Sequence, residues 1–163
     1  MVLVRKAVRE DIPALISLFK QFMKDQYSRS KYYNGDFSDI SLTNGEYYED
    51  VMSRNTCEVF VAELDGRVVA MAEVKKYGPN FIFEFGEHGY MFNVFIEEGS
   101  RKFVISHKLF EACRKWSKDN GCKYFSTCTY GFNSEVRKLL EHKDMEVQKT
   151  VYVINLDEEK LKE

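Results

Sequence analysis

The chain has 163 residues, of which 44% are hydrophobic and 15% aromatic, and its formal net charge is −2. That length suffices for one domain with its own core, and that composition excludes a disordered or low-complexity chain. The near-neutral charge argues against binding nucleic acid across a whole basic face, and no apolar run approaches the ~20 residues of a membrane span.

Residues 2–8 read as a short strand. Ile12, Leu15, Ile16, Phe19, Phe22 and Met23 then recur at helical spacing, so a helix is expected to about Asp25, with Pro13 in its first turn, where no N–H is needed. Residues 26–45 are aromatic, polar and irregular. Arg29, Lys31, Tyr32 and Tyr33 suit a base-stacking surface, but Asp36 and Asp39 dilute the charge, and a loop covering an edge of the core is expected. A short helix follows over 46–54. Residues 56–64 and 67–77 read as two strands joined by Asp65-Gly66, a strong hairpin signal. Glu73 alternates with Ala72 and Val74 and is expected to face outward from the sheet. Gly78-Pro79-Asn80 breaks the pattern, and 81–89 suit a short aromatic extension before a strand over 90–96. Asn93, polar within that apolar strand, reads as a hydrogen-bonded bulge residue or as a group facing a substrate.

A polar loop, 97–100, opens into an amphipathic helix beginning at Arg101 and stopped by Asn120-Gly121. Arg101 and Lys102 oppose the dipole of that helix start, so an anion is expected there: Glu97 with Glu98, or a phosphate on the first-turn N–H groups. The Leu109, Phe110, Cys113 and Trp116 face reads as core. Residues 122–130 form the next strand, parallel to 90–96 because a helix connects them. Asn133 or Ser134 caps a helix through about His142, 147–156 suit a closing strand, and 157–163 form a charged tail. The organisation expected is a single domain over 1–156. Cys57, Cys113, Cys122 and Cys128, with His88, His107 and His142, lack metal-ligand spacing, so buried free thiols, no metal and a cytoplasmic location are expected.

Two segments carry a resemblance. Arg101, Lys102, Phe103, Val104, Ile105 and Ser106 open the long helix, which continues through Leu109, Phe110 and Trp116. Asn133-x-x-Val136-x-x-Leu139-Leu140 opens the next, with Asp144-Met145 behind it. In this order of elements, over nearly the whole chain, they resemble the GNAT superfamily of acyl-CoA-dependent N-acyltransferases. The first is similar to that family's Arg/Gln-x-x-Gly-x-Gly/Ala loop, and the second to its N-x-x-A-x-x-(F/L)-Y helix.

The resemblance implies a mixed α/β fold with an antiparallel and parallel sheet flanked by helices. It implies an N-acetyltransferase that moves an acetyl group from acetyl-CoA to a primary amine by direct attack in a ternary complex. The pantetheine would pair with the backbone of Val94, Phe95 and Ile96. The pyrophosphate would lie over the N–H groups of Lys102, Phe103, Val104, Ile105 and Ser106, with Arg101 and Lys102 adding charge and Asn133 completing the cofactor site. An N–H near Phe95 or Ile96 would polarise the thioester carbonyl, and Glu87 and His88 are the general-base candidates. Three positions depart from the pattern. Val104 and Ser106 stand where small residues are usual, and Leu140 replaces a tyrosine that protonates the leaving thiolate, a role for which Tyr130, Cys128 or solvent are then the candidates. These departures motivate the alternative, a catalytically inactive GNAT-like binding or assembly module. A homodimer paired through the last strand is compatible with either.

Overall fold

The computed structural model describes residues 1–30, 45–78, 86–100 and 103–153. The chain forms two units, Met1–Cys128 and a second that starts at Thr129, and each is described by itself. The first unit carries a five-stranded sheet in spatial order β1-β2-β3-β4-β5: β1 is Val2–Lys6, β2 Cys57–Leu64, β3 Arg67–Tyr77, β4 His88–Ile96 and β5 Tyr124–Thr127. The first three pairings are antiparallel and β4–β5 is parallel. Among the described residues, three α-helices accompany it: α1 (Ile12–Arg29), α2 (Glu46–Ser53) and α3, described over Phe103–Asp119. The mixed sheet expected from the sequence is therefore present.

Local chemistry explains the connections. Asp65 and Gly66 both take positive φ, 52° and 82°, the conformation a two-residue hairpin needs to match strand twist. At the end of α3, Gly121 turns left-handed at φ 78°. The N–H of Cys122 then reaches Ser117 O and that of Gly121 reaches Lys118 O, which satisfies the last helical carbonyls.

The two faces of the sheet are covered differently. On one, Leu15, Leu18 and Phe19 from α1 and Tyr48 and Val51 from α2 pack on Val59, Val61, Met71 and Phe95. On the other, α3 buries Ile105, Leu109, Phe110, Cys113 and Trp116 against β1 to β5. Phe110 meets Phe125 edge to face with ring centroids 5.3 Å apart. Gly89 lets α3 come this close, because a Cβ there would overlap the side chain of Ser117. At the β1–α1 corner, Arg5 grips Asp11 with both terminal nitrogens at 2.6 and 2.9 Å and reaches Glu63 through Nε at 2.8 Å.

In the second unit, Asn133 caps α4 (Ser134–Glu141) by accepting from the Val136 N–H at 3.4 Å, as its type and position suggested.

Several boundaries differ from expectation. α1 runs on to Arg29, one turn past Asp25, with Gln26 buried and Arg29 paired to Asp25 at 3.2 Å. The fifth strand is shorter than 122–130. The closing strand expected over 147–156 is absent from its described part, 147–153, where Val147, Val151, Tyr152 and Val153 are exposed. A β-branched run becomes a strand only where a neighbour supplies ladder and packing, which propensity cannot report. The thiols also differ. All four cysteines are free, but only Cys113 is buried, and Cys128 is exposed. Residues 31–44 and 79–85, which hold the rest of the aromatic loop and most of the expected extension, lie outside the described residues.

Candidate active site

The centre of the site is an irregularity between β3 and β4. Met71 pairs with Phe95 and Glu73 with Phe92, so Ala72 alone faces both Asn93 and Val94. This is a β-bulge on β4, and Asn93 adopts φ 47° in it. Asparagine tolerates the left-handed region better than other residues with a Cβ. The expected bulge at Asn93 is therefore present, and its side chain serves a purpose: Nδ2 donates to Glu73 Oε1 at 3.1 Å.

Glu73 corrects the sequence reading. It was expected to face outward, yet it has no exposed surface. Alternation puts it on the face of β3 that carries Met71, under α1 and α2. Its second oxygen, Oε2, accepts from the Tyr47 hydroxyl at 2.5 Å. Burial pushes the carboxyl up to about 7, while the donors Tyr47 and Asn93 and the charge of Lys75 pull it down. The Lys75 ammonium, next on the same face, lies 4.6 Å from the Tyr77 ring centroid and 4.8 Å from that of Phe92. Burial and the neighbouring carboxylate hold the Tyr47 phenol above its ordinary range, so it remains a donor.

Beyond the bulge the sheet opens. The parallel ladder ends where Met91 pairs with Thr127, but β4 continues to Ile96. Its last five residues, Phe92 to Ile96, thus extend past β5 with the far side of their backbone outside that ladder. Of the expected cofactor residues, Val94, Phe95 and Ile96 lie on this extension. Phe95 buries its side chain in the core, which leaves only its backbone for recognition. At the start of α3, Phe103 and Val104 are exposed and Ile105 is buried, anchoring the turn, while Ser106 Oγ donates to Phe103 O at 2.9 Å. First-turn N–H groups have no intrahelical acceptor. Arg101 and Lys102 lie outside the described residues. Glu97, one proposed neighbour for that helix start, pairs with Arg67 at 2.6 Å. Asn133 belongs to the second unit as the cap of α4.

Glu87 and His88 stand together at the other end of β4. Glu87 pairs with Lys76 at 2.7 Å, and the His88 ring stacks on Tyr77 with centroids 5.4 Å apart. At about 3.3 Å per residue, His88 is about 16 Å of strand away from Asn93. The structure gathers them with Tyr77 and Lys76 rather than with the bulge. Cys128, a candidate proton donor, lies 2.9 Å from the Tyr90 hydroxyl. Sequence reasoning missed Glu73 and Tyr47. The available signal was a single carboxylate inside VVAMAEV, a run apolar on both faces, where an outward side has little meaning.

The family model for the acetyltransferase (GNAT) family matches residues 13–144. No curated protein sequence matches the chain. Among solved structures, a predicted acetyltransferase from Clostridium acetobutylicum crystallised with acetyl-CoA is similar with a TM-score of 0.73 at 20% identity, over 98% of this chain and 99% of that one. The aminoglycoside N-acetyltransferase AAC(6')-Iy in complex with CoA gives 0.75 at 17% identity, over 95% and 94%. A mutant of a Bacillus halodurans protein gives 0.78 at 16% identity, over 94% and 99%. At these identities the structural likeness bears on the fold.

Proposed function

We propose that this chain, which belongs to the GNAT acetyltransferase family, transfers an acetyl group from acetyl-CoA to a primary amine by direct attack in a ternary complex. The observation that carries this reading is the opening between β4 and β5: the parallel ladder stops at Met91 and Thr127, while β4 runs on through a bulge to Ile96. An extended pantetheine arm suits such an edge, because backbone N–H and C=O groups of Phe92 to Ile96 can pair with its amides as they would with another strand. The α3 start follows within a few residues, so Phe103, Val104, Ile105 and Ser106 can offer first-turn N–H groups to the pyrophosphate, with Arg101 and Lys102 adding charge. Val104 does not block this. The contact is made by backbone, and its side chain is exposed.

Acetyl-CoA supplies the acyl group and the thiolate that leaves. The protein's part is to hold the thioester beside the bulge, where a backbone N–H polarises its carbonyl, and to let the amine approach in neutral form. Free thiols at all four cysteines suit a reducing, cytoplasmic setting. The likeness to an aminoglycoside N-acetyltransferase makes kanamycin a reasonable first acceptor probe.

The test is thermal. Acetyl-CoA should raise the melting temperature with concentration, as a ligand of the native state must, and Arg101→Glu should abolish that shift without unfolding the protein. No shift at millimolar acetyl-CoA would overturn the transferase reading in favour of an inert binding module.

A further inference from the structure

We propose that Glu73 accepts the proton of the incoming amine through the Tyr47 hydroxyl, an inference that rests on the transferase reading above. Three observations point this way. Glu73 is fully buried, so no substrate touches it, but Tyr47 is only partly buried and donates to it at 2.5 Å. The other oxygen of the same carboxylate takes the amide of Asn93, the bulge residue at φ 47°. One carboxylate thus joins the phenol on α2 to the place on β4 where the strand pair opens. Finally, among the described residues the donors that reach Glu73 are neutral, whereas Asp11 sits beside a cation. The fold holds Lys75 instead over the rings of Tyr77 and Phe92.

The proton balance is simple. The ammonium of the acceptor gives a proton to Tyr47 Oη as the phenolic proton passes to Glu73 Oε2, which leaves a neutral amine, an unchanged tyrosine and a neutral carboxylic acid. The nitrogen lone pair forms the new C–N bond, and the C–S electron pair leaves with the thiolate. The second nitrogen proton ends on that thiolate, and Glu73 returns its proton to solvent on turnover. Burial suits the task, since it brings the carboxyl up to about 7, where it is a useful base at neutral pH. Among the described residues, the groups facing this pair are Tyr48 from α2, Lys75 on β3 and Asn93 from β4, with Val59 opposite on β2 and Cys57 near Tyr47.

The experiment combines acetyl transfer to kanamycin, spermidine and a lysine-containing peptide at pH 6 to 9 with carbon NMR of the glutamate carboxyls, in which Glu73 is identified by sequential through-bond assignment of the wild-type protein. In the wild type, kcat/KM should rise through pH about 7 with the Glu73 titration. Glu73→Gln should lower kcat/KM about 100-fold or more and remove the rise, with the acetyl-CoA thermal shift intact. Tyr47→Phe should lower the rate and move both the NMR midpoint and any remaining rise to higher pH, because the carboxylate loses a donor. A Glu73→Gln protein with the wild-type rate and profile overturns the relay and leaves the transferase reading standing. A loss of rate with an unchanged profile in Tyr47→Phe overturns it as well. If none of the three amines is acetylated, or Glu73→Gln fails to fold, the NMR decides: a Glu73 midpoint that Tyr47→Phe does not move overturns the relay. Absence of any acetyl-CoA shift in the wild type overturns the transferase reading and the relay with it.

Discussion

Two carboxylate clusters lie on the same face of this sheet and are treated oppositely. At the β1–α1 corner, Asp11 and Glu63 share the Arg5 guanidinium, and that cation holds Asp11 below the usual carboxylate range. At the β3–β4 bulge, the donors that reach Glu73 among the described residues are neutral, Tyr47 and Asn93, and burial raises it. The same functional group is a fixed anion in one place and a titratable group in the other. The difference lies in where the fold spends its cations: Arg5 is aimed at its carboxylates, while Lys75 is laid over aromatic rings. A fixed anion clamps α1 to the sheet. A titratable one is what proton transfer needs.

The comparison can be broken first at the clamp. Arg5→Ala strands two partly buried carboxylates and should cost about 2–3 kcal/mol in a urea titration, somewhat less than a fully buried pair because Arg5 retains contact with solvent. In the wild type, Asp11 has a lowered folded-state pKa, so its contribution is present at neutral pH and is lost as pH falls below the ordinary carboxylate range.

Glu73 should show the opposite sign. Its folded-state value of about 7 lies above the 4.5 of an ordinary glutamate, so the folded chain binds more protons between those two pH values. Stability from this group is full below pH 4.5, falls as pH rises toward 7, and stays low above it. Glu73→Gln removes that slope. The variant should gain on the wild type by up to roughly 2–3 kcal/mol at pH 9 and by little at pH 5, measured as urea midpoints at both pH values. An equal effect at both would mean that the carboxyl titrates alike in folded and unfolded chains.

The bulge separates conformation from hydrogen bonding. Asn93→Gly keeps the left-handed backbone but removes the donor to Glu73, at about 1 kcal/mol. Asn93→Ala loses both and should cost about 1 kcal/mol more. Equal losses would show that φ 47° at this position is not a strained conformation for alanine.

The smallest effect is expected at Lys75. Lys75→Met removes the cation over Tyr77 and Phe92, worth about 0.5–1 kcal/mol. It should also move the Glu73 midpoint slightly upward by NMR, since the charge that lowers it is gone. A downward movement would contradict the account of Glu73 given above.

Much of this molecule was legible in the chain. Period and punctuation alone determined α1 from the Ile12 to Met23 spacing, the β2–β3 hairpin from Asp65-Gly66, the α3 stop from Asn120-Gly121 and the α4 start from the Asn133-Ser134 pair, because each depends on interactions within a few residues. The order of those elements, with the segments around Arg101 and Asn133, also pointed to the acetyltransferase family. Only the tertiary structure decided the environment of Glu73. Its exposure depends on α1 and α2 closing over β3, its donors come from residues 26 and 20 positions away, and the charge nearby depends on Lys75 lying over aromatic rings. The length of β5 and the absence of a strand over 147–153 were likewise settled by partners. Burial and pairing are non-local properties, and a pKa follows from them.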